Sequence, residues 1–531
     1  MRRIFSAMLI ILWAVSFSNA EEKTIVYNLG VEPQTIDPTI NQALDGAIVD
    51  TNIFEGLLRT DFHNLPEPGC AESWDVSPDG LKWTFHLREN LRWSDGKTLT
   101  ASHFRDGMLR LIDPKTGAAY APVGFFIKNA ESFYSGKSSS SDVGLYAPDD
   151  RTLIIELEHV NPLMLYHMAF NAFFPVRMDI VNANPRGWTA KPETTISNGP
   201  FRIESWRHGS GGEITIVKNP HYWDAENVKI DKVFIPFIDD ANTALAAFRA
   251  GRVDYMRSVP NLMVPLLLER KEAFAVPSFT ISFVEFNVTR KPFDDARVRR
   301  ALTLAIDRKI ITEKIIHGGD KPATGAICPM IPGRNDSEDF RTEGGELVPA
   351  SANLDEARRL LAEAGYPEGR GFPEVSLKYV SGRGGKMTAE VLQGMWKTSL
   401  GINVGLSNEE WKVFLTTRRK GDFDMATSAW IMDFPDAGNF LESFISSSPN
   451  NDSKYNNPEF DSLMKKAENE LDRVTRVNYL HDAEKILIDD MPLLPLFFSP
   501  YIVMQSSRVK GIYQSPNGIV YFRGAEVIQP D

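Results

Sequence analysis

The chain has 531 residues, more than one hydrophobic core normally organises, so its length predicts at least two lobes or domains. Apolar residues make up 43% and charged residues 24%, which excludes a mainly disordered chain, a collagen-like fibre and a polytopic membrane protein. The net charge of −12, without a basic stripe, argues against nucleic acid as a partner.

The first twenty residues have the pattern of an export signal. Arg2 and Arg3 precede an apolar run over residues 4–17, and residues 18–20 supply small side chains at a cleavage site. The run is short for a membrane-spanning helix, which needs ~20 residues. We therefore expect residues 1–20 to be removed on export; an uncleaved membrane anchor is the alternative.

The remaining chain predicts alternating strands and helices. Period-two alternation predicts strands over residues 24–29, 83–87, 152–158, 213–218, 232–237, 402–406 and 423–430. Turn residues on either side of residues 83–94 predict a hairpin there. Helical spacing predicts helices over residues 241–250, 294–317, 354–364, 387–400 and 409–420, and a helical pair over 457–490. Helices that stop at Gly before a strand are typical of α/β crossover units.

The sequence carries no recognisable catalytic or metal-binding motif. Its nine histidines are isolated, and neither HExxH nor GxSxG occurs. Cys70 and Cys328 lack the spacing of metal ligands. In an exported chain they can pair, but we prefer two buried free thiols. We therefore predict no enzyme, no cofactor and no metal.

Four motifs run in order through nearly the whole chain. They are WSDGKTLTASHF at 93–104; SNGPF at 197–201 with KNPHYWD at 218–224; FN at 286–287 with PFDDARVRRA at 292–301; and WIMDFPDAGNFL at 430–441 with NNP at 456–458. Together they resemble one family, the extracytoplasmic oligopeptide- and dipeptide-binding proteins of ATP-driven (ABC) importers.

The resemblance implies an α/β fold, the two-lobed periplasmic binding protein of class II, cluster C, with an extra domain inserted in the first lobe. Its expected limits are residues 21–45, 187–279 and 500–531 for lobe I, 46–186 for the insert and 280–499 for lobe II. The expected protein is a periplasmic monomer that holds a peptide ligand between its lobes and passes it to an inner-membrane ABC permease complex.

The resemblance also implies which residues bind the ligand. Asp433 occupies the position where related peptide binders place the carboxylate that meets the ligand ammonium; the alternative is a turn residue before Pro435. The remaining candidates are Trp430, Trp411, Arg418, Glu285, Phe283 and Glu32. For Trp411 the alternative is core packing, and for Arg418 it is an exposed helix end.

Two positions depart from the family pattern. Some oligopeptide receptors have a His and an Arg where this chain has Gly385 and Thr427, so both cationic partners for a ligand carboxylate are missing. A non-peptide solute, such as an oligosaccharide or a metal chelate, is therefore the alternative ligand. An exported hydrolase and a periplasmic chaperone are further alternatives of a different class.

Overall fold

The computed structural model describes residues 22–335, 337–380 and 385–528, so the predicted signal segment lies outside it. Within these ranges, no helix combines the length and the apolar character needed to cross a membrane. The described chain is mixed α/β and is organised around one large sheet that continues from one lobe into the other. The predicted α/β class is confirmed.

Two antiparallel strands of 13 residues, Phe274–Phe286 and Leu493–Gln505, lie at the centre of this 11-stranded sheet and join the lobes. We call them the crossing strands. On the side of the second lobe the sheet continues through Met425–Ile431, Val375–Val380 and Val404–Glu409, while Lys321–Pro322 pairs with the second crossing strand. On the side of the first lobe it continues through Tyr255–Met256, Thr24–Asn28, Lys232–Pro236, Glu213–Lys218 and Phe201–Arg207.

The pairing of the crossing strands is interrupted between Val276 and Thr280. These two residues face Tyr501 and Ser499, so residues 277–279 lie opposite the single residue Pro500. An interruption of this kind bends a strand and removes ladder hydrogen bonds locally. The ladder between the crossing strands therefore lacks regular pairing at this level.

The segment between the first strand and residue 200 builds a second sheet of four strands: Ala71–Val76, Lys82–Leu87, Thr152–Glu156 and Leu145–Tyr146. The predicted hairpin over residues 83–94 is wrong. Lys82–Leu87 pairs with Ala71–Val76 across a turn whose Gly80 has a φ of +72°, a conformation that favours glycine. The smaller strand pairs are Leu58–Thr60 with Pro66–Pro68, Val509–Lys510 with Glu526–Val527, and Tyr513–Gln514 with Val520–Tyr521.

The α-helices cover Leu44–Ile53, Ala101–Leu111, Ala130–Tyr134, Met164–Ala169, Met178–Ala183, Ala241–Arg249, Val264–Glu269, Ala296–Leu304, Arg308–Ile310, Phe340–Gly344, Leu354–Glu363, Gly385–Leu400, Trp411–Lys420, Gly438–Leu441, Pro458–Glu468 and Arg473–Asp490. Single 3-10 turns occur at Ala121–Gly124, Ser140–Asp142, Asn171–Phe173, Ala225–Asn227, Asn261–Met263, Pro367–Gly369 and Glu442–Phe444, and a π-helical turn at Ile311–Ile316. Most predicted helices are confirmed within a few residues.

The predicted helix over residues 294–317 is broken, and the reason is local. Asp307 accepts a hydrogen bond from the Ile310 N–H at 2.9 Å and so starts a new helix. The next residue, Arg308, is fully buried and donates to the carbonyl oxygen of Pro495 at 2.6 Å. A cap and a buried guanidinium at successive positions outweigh the apolar periodicity that predicted one continuous helix.

The buried apolar side chains form one core that the first lobe shares with the four-stranded sheet, and two main cores in the second lobe. Cys70 belongs to the first of these cores and Cys328 to one of the others; both are buried and free. The preferred prediction of two buried free thiols is confirmed. The exact limits of the lobes and the insert stay a prediction.

Candidate functional site

A crevice of about 280 Å³ lies between the lobes. From the first-lobe side it is lined by residues 41–44, 47, 51, 60, 64, 120, 166, 169–171, 517, 519 and 521, and from the second lobe by residues 431–435. We call it the inter-lobe crevice. It places the end of strand Met425–Ile431 opposite the helix Leu44–Ile53 and the segment around Asn171.

Asp433 brings an available carboxylate to this crevice. The backbone around it is fixed: its N–H donates to Asn439 Oδ1 at 2.9 Å, and its carbonyl oxygen accepts from Asn517 Nδ2 at 3.1 Å. Within the described ranges the carboxylate has no hydrogen-bond or ion-pair partner, and loss of hydration raises its pKa to about 6. Asp433 is accessible to solvent and no cation of the described residues pairs with it, so its carboxylate is suited to a ligand cation.

Aromatic side chains bring the two lobes together beside Asp433. The ring centroid of Phe434 lies 5.3 Å from that of His167 and 5.9 Å from that of Phe170. Phe170 in turn lies 5.2 Å from Tyr120. Burial, together with the charge of Asp433, raises the pKa of Tyr120 to about 12. The sequence analysis missed this group, although the aromatic run over residues 166–174 was a visible signal.

A second cavity of about 630 Å³ lies on the second lobe and is lined by Ser282, Phe283, Val380, Gly385, Thr388, Trp411, Phe414, Arg418, residues 427–429, Leu496 and Phe497. We call it the second-lobe cavity. Trp411 is 54% exposed there, and its ring stacks on Phe414 at 6.4 Å. The alternative of core packing for Trp411 is wrong, because its indole faces solvent at the cavity.

Arg418 lines the second-lobe cavity but its charge is already engaged. Its guanidinium contacts Glu285 Oε2 at 2.6 Å and Asp452 Oδ2 at 3.1 Å. Burial raises the pKa of Glu285 despite the opposing effect of Arg418. The alternative of an exposed helix end for Arg418 is therefore wrong. The sequence analysis missed Asp452, because nothing in the sequence links three residues so far apart.

The remaining predicted site residues lie around these cavities. Trp430 is partly buried, with its ring 6.1 Å from that of Phe440, and Phe283 packs on the same ring at 5.5 Å. Glu32 lines neither cavity: it accepts hydrogen bonds from Trp206 Nε1 at 3.1 Å and the Gly209 N–H at 3.0 Å, and it contacts His208 Nδ1 at 2.6 Å.

The predicted residues thus fall into separate groups. Asp433 lines the inter-lobe crevice, and Phe283, Trp411 and Arg418 line the second-lobe cavity together with Gly385 and Thr427. Glu285 joins the second group through its ion pair with Arg418. Their roles in ligand binding stay a prediction. In the part of the chain that the structure describes, no group of three or more His, Cys, Asp or Glu side chains is placed to hold a metal ion.

Comparison with known proteins finds one family and close structural likeness. The model of the bacterial extracellular solute-binding proteins, family 5 Middle, matches residues 66–452. The dipeptide-binding protein DppE of Bacillus subtilis is 35% identical over 506 residues, which cover 95% of this chain and 92% of that protein. The structure of the murein tripeptide-binding protein MppA in its unliganded open form is similar with a TM-score of 0.82 and 30% identity, covering 96% and 98% of the two chains. The Haemophilus influenzae OppA complex with the peptide RPPGFSPFR is similar with a TM-score of 0.74 and 30% identity, covering 96% and 99%.

Proposed function

Because the chain belongs to the bacterial extracellular solute-binding proteins of family 5, we propose that it is a receptor that captures oligopeptides between two closing lobes and delivers them to an ABC permease. The observation that carries the proposal is the carboxylate of Asp433, which lines the inter-lobe crevice with no described partner. Peptide-binding relatives over more than nine-tenths of the chain support the peptide over an oligosaccharide or a metal chelate.

The amino end of the peptide is the part that Asp433 recognises. Closure of the lobes removes water from the ligand ammonium, and a charge without a partner in such a site is costly. The carboxylate replaces that water with a charge-assisted hydrogen bond. The peptide lies as an added strand, so that its alternating N–H and C=O groups pair with the backbone of the protein. Binding then depends little on the identity of the peptide side chains. The ligand thereby shifts an existing equilibrium between open and closed forms.

The second-lobe cavity accommodates peptide side chains. Trp411 and Phe283 offer apolar walls, which tolerate side chains of different shape. Arg418 is matched by two carboxylates, and Gly385 and Thr427 add no charge, so the described part of the cavity wall holds no unmatched cation. We infer broad side-chain acceptance there, with Glu285 and Asp452 holding Arg418 in place. Trp430 contacts Phe440, on which Phe283 of the wall also packs.

We further propose that the protein binds without catalysis, acts as a monomer in the periplasm after removal of residues 1–20, and has no nucleic-acid partner. The relatives are binding proteins by name, which supports binding as the activity. The acidic composition supports the absence of a nucleic-acid partner.

Calorimetric titration of one tetrapeptide, with a free and with an acetylated amino end, tests the proposal. Acetylation removes the charge that Asp433 meets, so we expect at least roughly thirtyfold weaker binding, about 2 kcal/mol. Asp433→Asn is expected to weaken the free peptide by a similar factor and to leave the acetylated one unchanged. Asp482→Asn, an exposed acid of the same lobe, is the matched control. Equal affinity of the wild type for both peptides, or tight binding of an oligosaccharide instead, contradicts the proposal.

A further inference from the structure

A buried carboxyl group lies behind the wall of the inter-lobe crevice. Asp50, on the helix Leu44–Ile53, is 0% exposed. Its Oδ2 accepts hydrogen bonds from Asn41 Nδ2 and from Asn171 Nδ2, both at 3.0 Å. Its Oδ1 is buried without a partner among the described residues. Both amides that it contacts line the crevice.

This carboxyl group fixes which way the two amides face. An oxygen that accepts can only be approached by the NH2 end of an amide, so each carbonyl oxygen points away from Asp50. The oxygen of Asn41 is used, because it accepts from the Ala43 N–H at 3.0 Å. The oxygen of Asn171 has no described donor, although this residue is only 6% exposed and lines the crevice. Asn171 thus brings to the crevice an oriented acceptor to which no group of the described residues donates.

This acceptor lies on the side of the crevice opposite Asp433. The preceding residue, Phe170, and the residue after Asp433, Phe434, have ring centroids only 5.9 Å apart. Asn171 and Asp433 line the same crevice of about 280 Å³, one from each lobe. Burial raises the pKa of Asp50 well above its usual range, and the hydrogen bonds from Asn171 and Asn41 oppose that shift.

We propose that Asn171, oriented by Asp50, is a second acceptor for the amino end of the ligand, and that the crevice selects a primary ammonium over an equally charged methylated one. The proposal rests on the proposed function and deepens it. An ammonium has three N–H donors, and closure strips the water from all of them. Asp433 supplies charge and acceptors from one side only. Asn171 satisfies a donor that points to the other lobe.

The test is calorimetric titration of the wild type with one tetrapeptide whose amino end is free, monomethylated, dimethylated, trimethylated or acetylated. Methylation keeps the positive charge and removes donors one by one. We expect the trimethylated peptide to bind at least roughly tenfold more weakly than the free one, the usual cost of an unmet buried hydrogen bond. This arm uses the unaltered protein, so it does not depend on the folding of any variant.

A variant separates hydrogen bonding from steric exclusion. Asn171→Leu removes the acceptor and is expected to weaken the free peptide roughly tenfold while leaving the trimethylated peptide unchanged. Asn242→Leu, at an exposed position of the helix Ala241–Arg249, is the matched control. If Asn171→Leu binds the free peptide as tightly as the wild type, Asn171 accepts no hydrogen bond from the ammonium and the inference is overturned.

The outcomes also separate this inference from the proposed function. If the acetylated and free peptides bind equally well, the protein does not recognise the ammonium, and both proposals are refuted. Suppose instead that acetylation strongly weakens binding while the trimethylated and free peptides bind equally well. The proposed function is then retained and the role of Asn171 is overturned, because the charge alone is recognised.

Discussion

Lowering the pH is expected to weaken peptide binding through Asp433. Loss of hydration in the crevice raises the pKa of this carboxyl to about 6. A bound ammonium favours the ionised form, so the pKa is lower in the complex than in the free protein. Protonation and ligand therefore compete: the affinity is complete above the free pKa and decreases as the pH falls through it.

The magnitude follows from that pKa. At pH 7 about one eleventh of the free protein carries a proton on Asp433, and at pH 5 about ten elevenths does, so the affinity falls about tenfold between them. A further unit to pH 4 adds close to another tenfold, about 1.36 kcal/mol per unit. The α-amino group of the peptide stays charged over this range, because its own pKa is about 7.7–8.0.

The titration of Asp433 has to be separated from that of neighbouring acids. Burial raises the pKa of Glu442 to about 7, with Asp436 and Asp433 adding to the shift, so Glu442 titrates in the same interval. Asp436 itself is paired with Arg476, at 2.9 Å from its Oδ1 to Nη2. Burial lowers the pKa of His167 to about 4, below most of the interval. Glu442→Gln removes the overlapping titration, and the remaining tenfold change then belongs to Asp433.

Calorimetry between pH 4 and 7, in two buffers of different ionisation enthalpy, measures both the affinity and the uptake or release of protons. Wild type and Glu442→Gln are expected to release a proton on binding between pH 6 and 5. Asp433→Asn is expected to show a flat profile. An affinity that is constant or rises as the pH falls refutes a direct contact between this carboxylate and the ligand cation.

Three further predictions concern other contacts of the structure. Arg418→Met is expected to lower the free energy of unfolding by about 3–5 kcal/mol in denaturant titrations, because Glu285 stays buried without its cation. Adding Glu285→Gln is expected to recover part of that loss. Equal stability of Arg418→Met and the wild type contradicts a stabilising ion pair. Phe434→Ala removes an aromatic contact between the lobes, so the unliganded protein is expected to show a larger radius of gyration by X-ray scattering; an unchanged radius contradicts this. Cys70 and Cys328 are buried with raised pKa values, so neither is expected to react with a thiol reagent until the protein is denatured; rapid labelling of the native protein contradicts this.

Local patterns in the sequence were enough to predict most of the secondary structure. The helix Leu354–Glu363 and the helical pair Pro458–Glu468 and Arg473–Asp490 have regular apolar spacing and clear ends, and the structure confirms them. The failures arose where a strand partner or a buried polar contact decided the outcome. Lys82–Leu87 was predicted correctly as a strand, but it pairs with Ala71–Val76 and Thr152–Glu156, which local sequence does not indicate.

The candidate site was predictable only in part. Only the family resemblance of the motif around Asp433 indicated an acid near the ligand, and its role stays a prediction. Asp436, in the same motif, is 8% exposed and paired with Arg476, a contact that the sequence analysis did not predict. The contact between Asn171 and Asp50 depends on packing between segments far apart in the chain, and no pattern at either residue indicates it. Pairing of this kind is a property of the tertiary structure, which no single-sequence pattern specifies.

The interruption in the crossing strands determines how stiff the molecule is. Neither Pro277 nor Pro500 has an N–H to contribute, so the ladder is missing its cross-links at the level where the chain leaves one lobe for the other. A second irregularity follows between Ser282 and Phe283, so the regular ladder on the side of the second lobe is interrupted again within three residues. Bending there breaks few hydrogen bonds of the ladder, which favours hinge motion of the two lobes about this segment.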